Sequence, residues 1–268
     1  MALRTALVFL SLTLKVLFFV PAYAEVRCGP DETCTFGVFP HTSTRQLQNT
    51  YSPMAEDLSL ILDRPVRFVT GESMQHFLEQ TRNQKWDIAL IGPGQLVLGG
   101  RPAGYVPIAR PAYEVVYEIV TLPRTGITEP KQLSGKRMGM MPKSTGTHLL
   151  SHELLASHGI DTKKDLQITV YPSEHDCVHA LLIDRVDACG LATPILNILR
   201  EQKPAPFLRL TASEPMPSAA YVVHPRMLEN DRSEIADYLL SREGLIPASY
   251  AEYETYLAGM QRLHSGEK

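Results

Sequence analysis

Cysteine and tryptophan are scarce in this chain, and neither sign of charge is in large excess. Its 268 residues include 4 Cys and 1 Trp, and 26 Lys and Arg face 29 Asp and Glu for a formal net charge of −3. So few cysteines exclude a disulfide-dense miniprotein, and without a basic surplus there is no reason to expect nucleic acid as a partner. What is present is a 44% apolar composition without repeats, typical of a globular protein long enough for two modest domains.

Long apolar runs are also absent, except at the N-terminus. Arg4 precedes an apolar stretch over residues 5–20, and residues 22–24 have the small-x-small order of a cleavage site. A membrane anchor is the alternative, but Lys15 interrupts the stretch and leaves it short of the ~20 apolar residues that a span needs. The pattern predicts a signal peptide over residues 1–24, and hence a mature protein of the periplasm with no membrane insertion.

Because an exported protein meets oxidising conditions, its cysteines can form disulfides. Cys28 and Cys34 flank a short loop, and Cys177 and Cys189 are twelve residues apart, in an expected helix and the strand that follows it. Four cysteines allow three pairings, which the sequence does not distinguish. We expect two local bridges, and the alternative is a free Cys177 thiol beside His175.

Short β-branched runs alternate with helical patterns along the mature chain, which predicts an α/β fold with mostly parallel sheets. Strands are expected at 35–39, 66–69, 86–91, 105–109, 115–122, 137–141, 166–171, 186–191, 207–210 and 220–223. Helices are expected near 44–62, 73–83, 146–158, 175–184, 193–201, 226–240 and 248–263.

Turn residues after two of these strands, 115–122 and 207–210, indicate two crossings between lobes. The expected division is one lobe from 25–122 and 217–268 and a second from 123–212, with 213–216 as the return hinge. Two crossover strands imply a cleft between the lobes, which is a common place for a ligand.

Three strand-to-helix turns carry small polar residues. The opening turn of a helix has free N–H groups and a partial positive charge, so it takes up anions. Ser and Thr are also ordinary N-caps, but three such turns at the carboxyl ends of strands favour a binding site. The candidates are His41, Thr42, Ser43, Gln95, Ser144, Thr145, Gly146 and Thr147.

His175 is a further candidate, since it follows the strand expected at 166–171. An imidazole N–H donates to an anion, and more strongly when the ring is protonated. From position alone, however, a histidine at a helix start is more often a surface residue.

Local signatures of catalysis and nucleotide binding are missing. The chain has no Gly-x-x-x-x-Gly-Lys-[Ser/Thr] loop, no Gly-x-Ser-x-Gly elbow and no His-Glu-x-x-His motif. His148 with His152, and His175 with His179, have a spacing that suits metal chelation on one helix face. A periplasmic metal-dependent enzyme is therefore the rival hypothesis, although we expect no enzyme, no catalytic residue, no cofactor and no metal.

Several segments occur in a recognisable order: Trp86-Asp87-Ile88-Ala89-Leu90-Ile91-Gly92-Pro93, Pro142-Lys143-Ser144-Thr145-Gly146-Thr147, Ser173-Glu174-His175-Asp176 and Ser213-Glu214-Pro215-Met216-Pro217. They resemble segments of the periplasmic phosphate, phosphite and phosphonate-binding proteins of ABC transporters. The resemblance implies the two-lobed type II periplasmic binding protein fold, with two crossover strands, closing on an oxyanion.

The same resemblance suggests roles for individual residues. It implies that Ser144 and Thr145 supply anion-binding hydroxyls and that His175 is an anion-contacting histidine. The family's third hydroxyl of this loop falls on Gly146, where Thr147 would substitute.

Other positions depart from the family. Its two binding tyrosines fall on His41 and Leu96, and the acidic residues that hold the amino group of an aminoalkyl phosphonate fall near Pro194 and Ala219. A buried ammonium would thus lack a counter-charge, which is costly. The expected ligand is a small oxyanion without a cationic tail.

The favoured hypothesis is a non-enzymatic solute-binding protein. It would capture a phosphate, phosphite, phosphonate-like or arsenic oxyanion and present it to an ABC permease or to the sensor domain of a histidine kinase. In one variant of this hypothesis, a free Cys177 thiolate at a helix start binds arsenite.

Overall fold

The computed structural model describes residues 27–29, 32–202 and 205–265. In these ranges the chain forms two mixed sheets, each covered by helices, and a small two-stranded sheet. The predicted signal peptide, 1–24, lies outside the described residues. Within those described ranges, no helix combines the length and the apolar character needed to cross a bilayer.

Each of the ten expected strands has a counterpart whose ends differ by up to two residues, and the short strands at 216–217 and 245–247 were not expected. The strands are β1 (Cys34–Val38), β2 (Val66–Thr70), β3 (Ile88–Ile91), β4 (Val106–Pro111), β5 (Glu114–Val115), β6 (Tyr117–Thr121), β7 (Arg137–Met140), β8 (Gln167–Val170), β9 (Ala188–Ala192), β10 (Leu208–Ala212), β11 (Met216–Pro217), β12 (Ala220–Val223) and β13 (Leu245–Pro247).

The helices also follow the predicted pattern. They are α1 (Thr44–Ile61), α2 (Met74–Arg82), α3 (Pro93–Gln95), α4 (Gly146–Ser157), α5 (Glu174–Leu182), α6 (Thr193–Gln202), α7 (Glu229–Ser241) and α8 (Glu254–Ser265). Several short elements were not expected: α3 and its continuation as a π-helical segment over Leu96–Gly100, and 3₁₀ turns over Pro123–Thr125, Pro130–Leu133 and Tyr250–Tyr253.

The first sheet has the order β13-β4-β12-β3-β1-β2. Strand β1 pairs in parallel with β2 and β3, whereas β12 runs antiparallel to β3 and β4. All four residues of β3 are buried, as expected for a strand covered on both faces.

The second sheet has the order β10-β6-β9-β7-β8. Here β7 pairs in parallel with β8 and β9, while β6 runs antiparallel to β9 and β10. The α/β fold class is confirmed, with parallel pairs in both sheets. The antiparallel pairs are made by strands next to the crossings, because a chain segment that crosses between lobes enters the next sheet in the opposite direction.

The crossings come together in a small antiparallel sheet of β5 and β11. The sequence predicts a single strand over 115–122 that ends the first lobe. In the structure this segment is split: β5 lies at the crossing and β6 belongs to the second sheet. Residues with a high strand propensity continue across 115–122 and are broken only by Glu118, so the sequence does not reveal where the pairing partner changes.

Close packing in the first lobe depends on Gly37 in the middle of β1. The Trp86 indole stacks on Phe77 with ring centroids 5.0 Å apart. A Cβ on Gly37 would lie 2.6 Å from Cδ2 of that indole, so only glycine admits the ring here.

Two local disulfides are present, Cys28–Cys34 and Cys177–Cys189, which confirms the expected pairing. No free cysteine occurs in the described ranges, so the free-thiol hypothesis for Cys177 is wrong. The reason is that α5 packs against β9, which brings the two buried sulfur atoms together.

Candidate ligand-binding cleft

A cavity of about 220 Å³ lies between the two sheets. Its walls come from the loops that follow β1 and β3 in the first sheet and β7, β8 and β9 in the second. These loops stand at the carboxyl ends of strands, where α/β folds place their ligands.

The start of α4 supplies hydrogen-bond donors to this cavity. Thr145 is its N-cap and accepts from the backbone N–H of His148 at 3.1 Å. The amides of Gly146 and Thr147 belong to the first turn, where N–H groups lack intrahelical acceptors. Ser144 lies beside them, and its hydroxyl is buried without a hydrogen-bond partner among the described residues. A buried hydroxyl in this state is costly unless a ligand or water completes it.

A carboxyl group stands beside the same helix start. Glu174, the first residue of α5, lines the cavity. Thr147 Oγ1 donates to its Oε1 at 2.7 Å, and the Ala192 backbone N–H donates to its Oε2 at 3.2 Å. Burial raises the pKa of this carboxyl to about 7, although both hydrogen bonds act in the opposite direction. The Thr147 hydroxyl therefore serves Glu174 in this structure.

His41 lines the opposite wall without adding positive charge at neutral pH. Its Nδ1 is 3.0 Å from the carbonyl oxygen of Phe39, so Nδ1 carries a proton. Burial lowers the pKa of the ring below its usual value of 6.5. Among the described residues that line the cavity, none is a lysine or an arginine.

Gln95 offers an acceptor. Its Nε2 donates to the Met74 carbonyl oxygen at 2.8 Å, which fixes the orientation of the amide. Its Oε1 is buried and has no partner in the described part of the chain. A ligand or water that carries a donor would satisfy this oxygen.

Aromatic side chains form much of the remaining wall. Tyr51, Tyr113, Tyr117 and Tyr221 line the cavity, together with Phe39. They were not foreseen as site residues, since aromatic residues on strands and helices are usually part of the core. Their rings make the cavity suited to a small organic group as well as to an anionic head.

Of the predicted site residues, His41, Gln95, Ser144, Thr145, Gly146 and Thr147 line one cavity, and Thr42, Ser43, His175 and Cys177 do not. Ser43 caps α1 through its hydroxyl, and Thr42 donates to the Gln46 side chain. Cys177 is in its disulfide.

The periodicity of α5 explains why Glu174, and not His175, faces the cleft. Cys177, Val178 and Leu181 are buried, and they follow Glu174 at positions i+3, i+4 and i+7. This spacing places Glu174 on the inner face of the helix and turns His175 away. The apolar stripe was visible in the sequence and could have identified Glu174.

The paired histidines form no multidentate centre. His148 is buried, with its Nδ1 2.8 Å from the Met141 carbonyl oxygen. Within the described ranges, no group of three or more His, Cys, Asp or Glu side chains is placed to hold a metal ion.

Two α/β lobes joined at paired crossings, with a cleft at the carboxyl ends of their strands, define a type II periplasmic binding protein. Residues 36–261 match the family model described as ABC transporter, phosphonate, periplasmic substrate-binding protein. The chain therefore belongs to the family of periplasmic substrate-binding proteins of phosphonate ABC transporters.

Solved structures share the fold at low sequence identity. PhnD1 of Prochlorococcus marinus, solved in complex with methylphosphonate, has a TM-score of 0.80 and 14% identity, over 88% of this chain and 99% of that one. A binding protein component of an ABC phosphonate transporter from Pseudomonas aeruginosa has a TM-score of 0.77 and 14% identity, over 89% of each chain. A Xanthomonas citri protein bound to ATP has a TM-score of 0.71 and 14% identity, over 88% of this chain and 99% of that one.

Proposed function

We propose that this chain captures a small phosphonate, or a closely related oxyanion, in the cleft and presents it to an ABC permease. The observation that carries the proposal is Ser144, a buried hydroxyl without a partner in the described structure, next to the first-turn amides of α4. Together they form a set of donors for the oxygens of one anionic group. The methylphosphonate in the complex of PhnD1 from Prochlorococcus marinus supports this ligand class.

The size of the cavity favours a phosphonate over a bare inorganic ion. A volume of about 220 Å³ is many times the roughly 10–15 Å³ that a cavity needs to hold one water molecule. The aromatic residues of the wall give an apolar substituent a favourable place, since burying apolar surface stabilises the complex. Phosphate, phosphite and arsenic oxyanions would fill only the donor end.

Delivery to a permease follows from the family, which serves ABC transporters. The described residues offer nothing that favours a sensor kinase as the receiver. The proposal includes export of the chain by residues 1–24, so that the mature protein binds its ligand in the periplasm. The two disulfides support this compartment, because such bonds persist under oxidising conditions.

The test is calorimetric titration of refolded, ligand-stripped protein with methylphosphonate. Removing the hydroxyl with Ser144→Ala deletes a hydrogen bond to a charged group, which is worth about 1.5–3 kcal/mol. We therefore expect the dissociation constant to rise roughly 10- to 150-fold.

The matched control is Ser157→Ala, the same change at the exposed end of the same helix, where the hydroxyl donates to the Leu154 carbonyl oxygen. This variant should bind like the parent. If Ser144→Ala binds methylphosphonate as tightly as Ser157→Ala does, the anion does not lie at the start of α4 and the proposal fails.

A further inference from the structure

The cleft combines an anion-binding helix start with an acidic side chain, which is an electrostatic conflict. The Glu174 carboxyl and the first-turn amide of Thr147 belong to the same end of the cavity, because the Thr147 hydroxyl bonds directly to Glu174. An ionised carboxylate beside the start of α4 would repel an oxyanion that is bound there. An anion is taken up here only with a proton in that contact, on the carboxyl or on the ligand oxygen, because two bare oxyanions share no donor.

The elements packed against Glu174 bring no cation that would neutralise the carboxylate. The second-sheet strand β9 is uncharged along its length, Arg137 of β7 is bound to Asp187, and Arg200 of α6 is 4.0 Å from Glu118. Lys143, next to Ser144, is exposed and does not line the cavity.

The other titratable groups around Glu174 do not supply a positive charge either. Tyr117 faces it from β6, and His41 across the cavity is neutral at pH 7, as described above. The remaining titratable groups of α4 and α5 are His148, His152, Glu153, His175, Asp176 and His179, and none of them lines the cavity.

We propose that Glu174 binds the oxyanion in its protonated form, so that ligand capture takes up a proton from solvent. The inference rests on the proposed function. The neutral carboxyl keeps accepting from Thr147 and Ala192, and its O–H becomes one more donor to a ligand oxygen. Glu174 would then determine both which ligands enter and at which pH they are held.

The acidity of the group agrees with this role. Burial raises the pKa of Glu174 to about 7 in the absence of ligand, so protonation near neutral pH costs little. Below pH 7 most molecules already carry the proton and are competent to bind. As the pH rises above 7 the competent fraction falls, by about tenfold between pH 6 and pH 8, and the apparent affinity falls with it.

The experiment compares methylphosphonate binding by the parent and by Glu174→Gln at pH 6 and pH 8. The glutamine amide keeps an acceptor for the Thr147 hydroxyl and a donor at all pH values, so the variant reproduces the uncharged, donating state of the acid; its nitrogen does not accept from the Ala192 N–H as the carboxyl oxygen does. Between these pH values the parent should lose about tenfold in affinity relative to the variant. Ionisation of methylphosphonate itself affects both proteins equally and cancels in that ratio.

Titrations at pH 8 in buffers with different ionisation enthalpies add an independent readout. The parent should take up nearly one more proton per bound ligand than Glu174→Gln does. Asp176→Asn, a carboxyl-to-amide change on the exposed side of the same helix, should behave like the parent in both measurements.

Three outcomes would overturn the inference. Equal pH dependence of the parent and Glu174→Gln would show that Glu174 does not titrate with binding. Loss of binding in folded Glu174→Gln at both pH values would show that the ionised carboxylate is required, as for a ligand with a cationic group. Absence of methylphosphonate binding by the parent at either pH would remove the proposed function as well, whereas the first two outcomes leave it standing.

Discussion

The contact between Gly190 and Ser151 fixes how closely α4 approaches the second sheet. A Cβ on Gly190 would lie 2.0 Å from the Ser151 hydroxyl oxygen and 2.9 Å from its Cβ. These distances are far below van der Waals contact, so any side chain on residue 190 would push the helix outward. The start of α4 carries the donors that we propose to bind the anion. The absence of a side chain at Gly190 therefore determines where those donors lie.

We predict that Gly190→Ala destabilises the protein by about 1–3 kcal/mol, the usual cost of overpacking a core. It should also weaken methylphosphonate binding, since the start of α4 must move. Urea unfolding followed by circular dichroism measures the first effect and calorimetry the second.

A second substitution provides the control for this prediction. Adding Ser151→Gly removes the clashing atoms and should recover methylphosphonate affinity, while glycine inside a helix still costs about 1 kcal/mol. If affinity stays low in the double variant, the clash between these two residues is not the cause.

Residues that line the cavity differ in how far nearby sequence predicts their position. Ser144 and Thr145 could be predicted because the start of a helix is defined by nearby sequence, and both residues line the cavity. Glu174 was missed because the choice between neighbouring residues of α5 depends on the phase of the helix. Tyr221 reaches the cavity only through strand pairing, which joins residues distant in sequence, and Tyr113 lies in the bend between β4 and β5.

At the scale of secondary structure, the Cys177–Cys189 disulfide holds α5 against β9. This bond connects the helix that begins with Glu174 to the strand whose end, Ala192, donates to that carboxyl. The bridge thus supports one wall of the cleft. The other bridge, Cys28–Cys34, lies at the edge of β1, away from the cavity walls.

We predict that replacing both Cys177 and Cys189 by Ala lowers the free energy of unfolding by about 3 kcal/mol, because the reduced chain regains the entropy of an open loop. Methylphosphonate affinity should fall too, since α5 is less firmly held. Replacing Cys28 and Cys34 instead should cost about 2 kcal/mol, as expected for a shorter loop, and leave affinity unchanged. Equal losses of affinity in the two double variants would contradict a specific role for the α5 bridge.

The elements themselves were largely predictable, because periodicity and turn residues are local. The bounds of α1 and α4 agree with the expected ranges to within one residue at each end. The short β13 was missed, since three residues give too little pattern. The split between β5 and β6 was missed for a different reason. The sheet that a strand joins is decided by its pairing partner, here β11 for β5 and β9 for β6, and not by the composition of the strand.

At the scale of the whole molecule, two sheets share a cleft and are connected at the paired strands β5 and β11. A ligand in the cleft can contact both lobes at once only when the lobes are close together. A ligand that contacts both walls therefore favours the closed arrangement over the open one. The same binding energy also opposes unfolding, because an unfolded chain has no cleft.

We predict that methylphosphonate at 100 times its dissociation constant stabilises the protein by about 2.7 kcal/mol. For a chain of this size that corresponds to a rise in melting temperature of roughly 5–10 °C. Thermal-shift measurements with methylphosphonate, phosphate, phosphite, sulfate and arsenite would rank the ligands, and we expect methylphosphonate to give the largest shift. A larger shift with an inorganic ion would show that the aromatic wall does not contribute to selectivity.

The position of Trp86 gives this protein a built-in optical probe. It is the only tryptophan in the sequence, and its indole is buried against Phe77 and donates to Thr81. None of these three residues lines the cleft, whereas four tyrosines do. We therefore expect indole fluorescence to report unfolding of the first lobe's core rather than occupancy of the cleft, and tyrosine emission to respond to a bound ligand. One fluorescence measurement on the unlabelled protein should therefore distinguish unfolding from ligand binding.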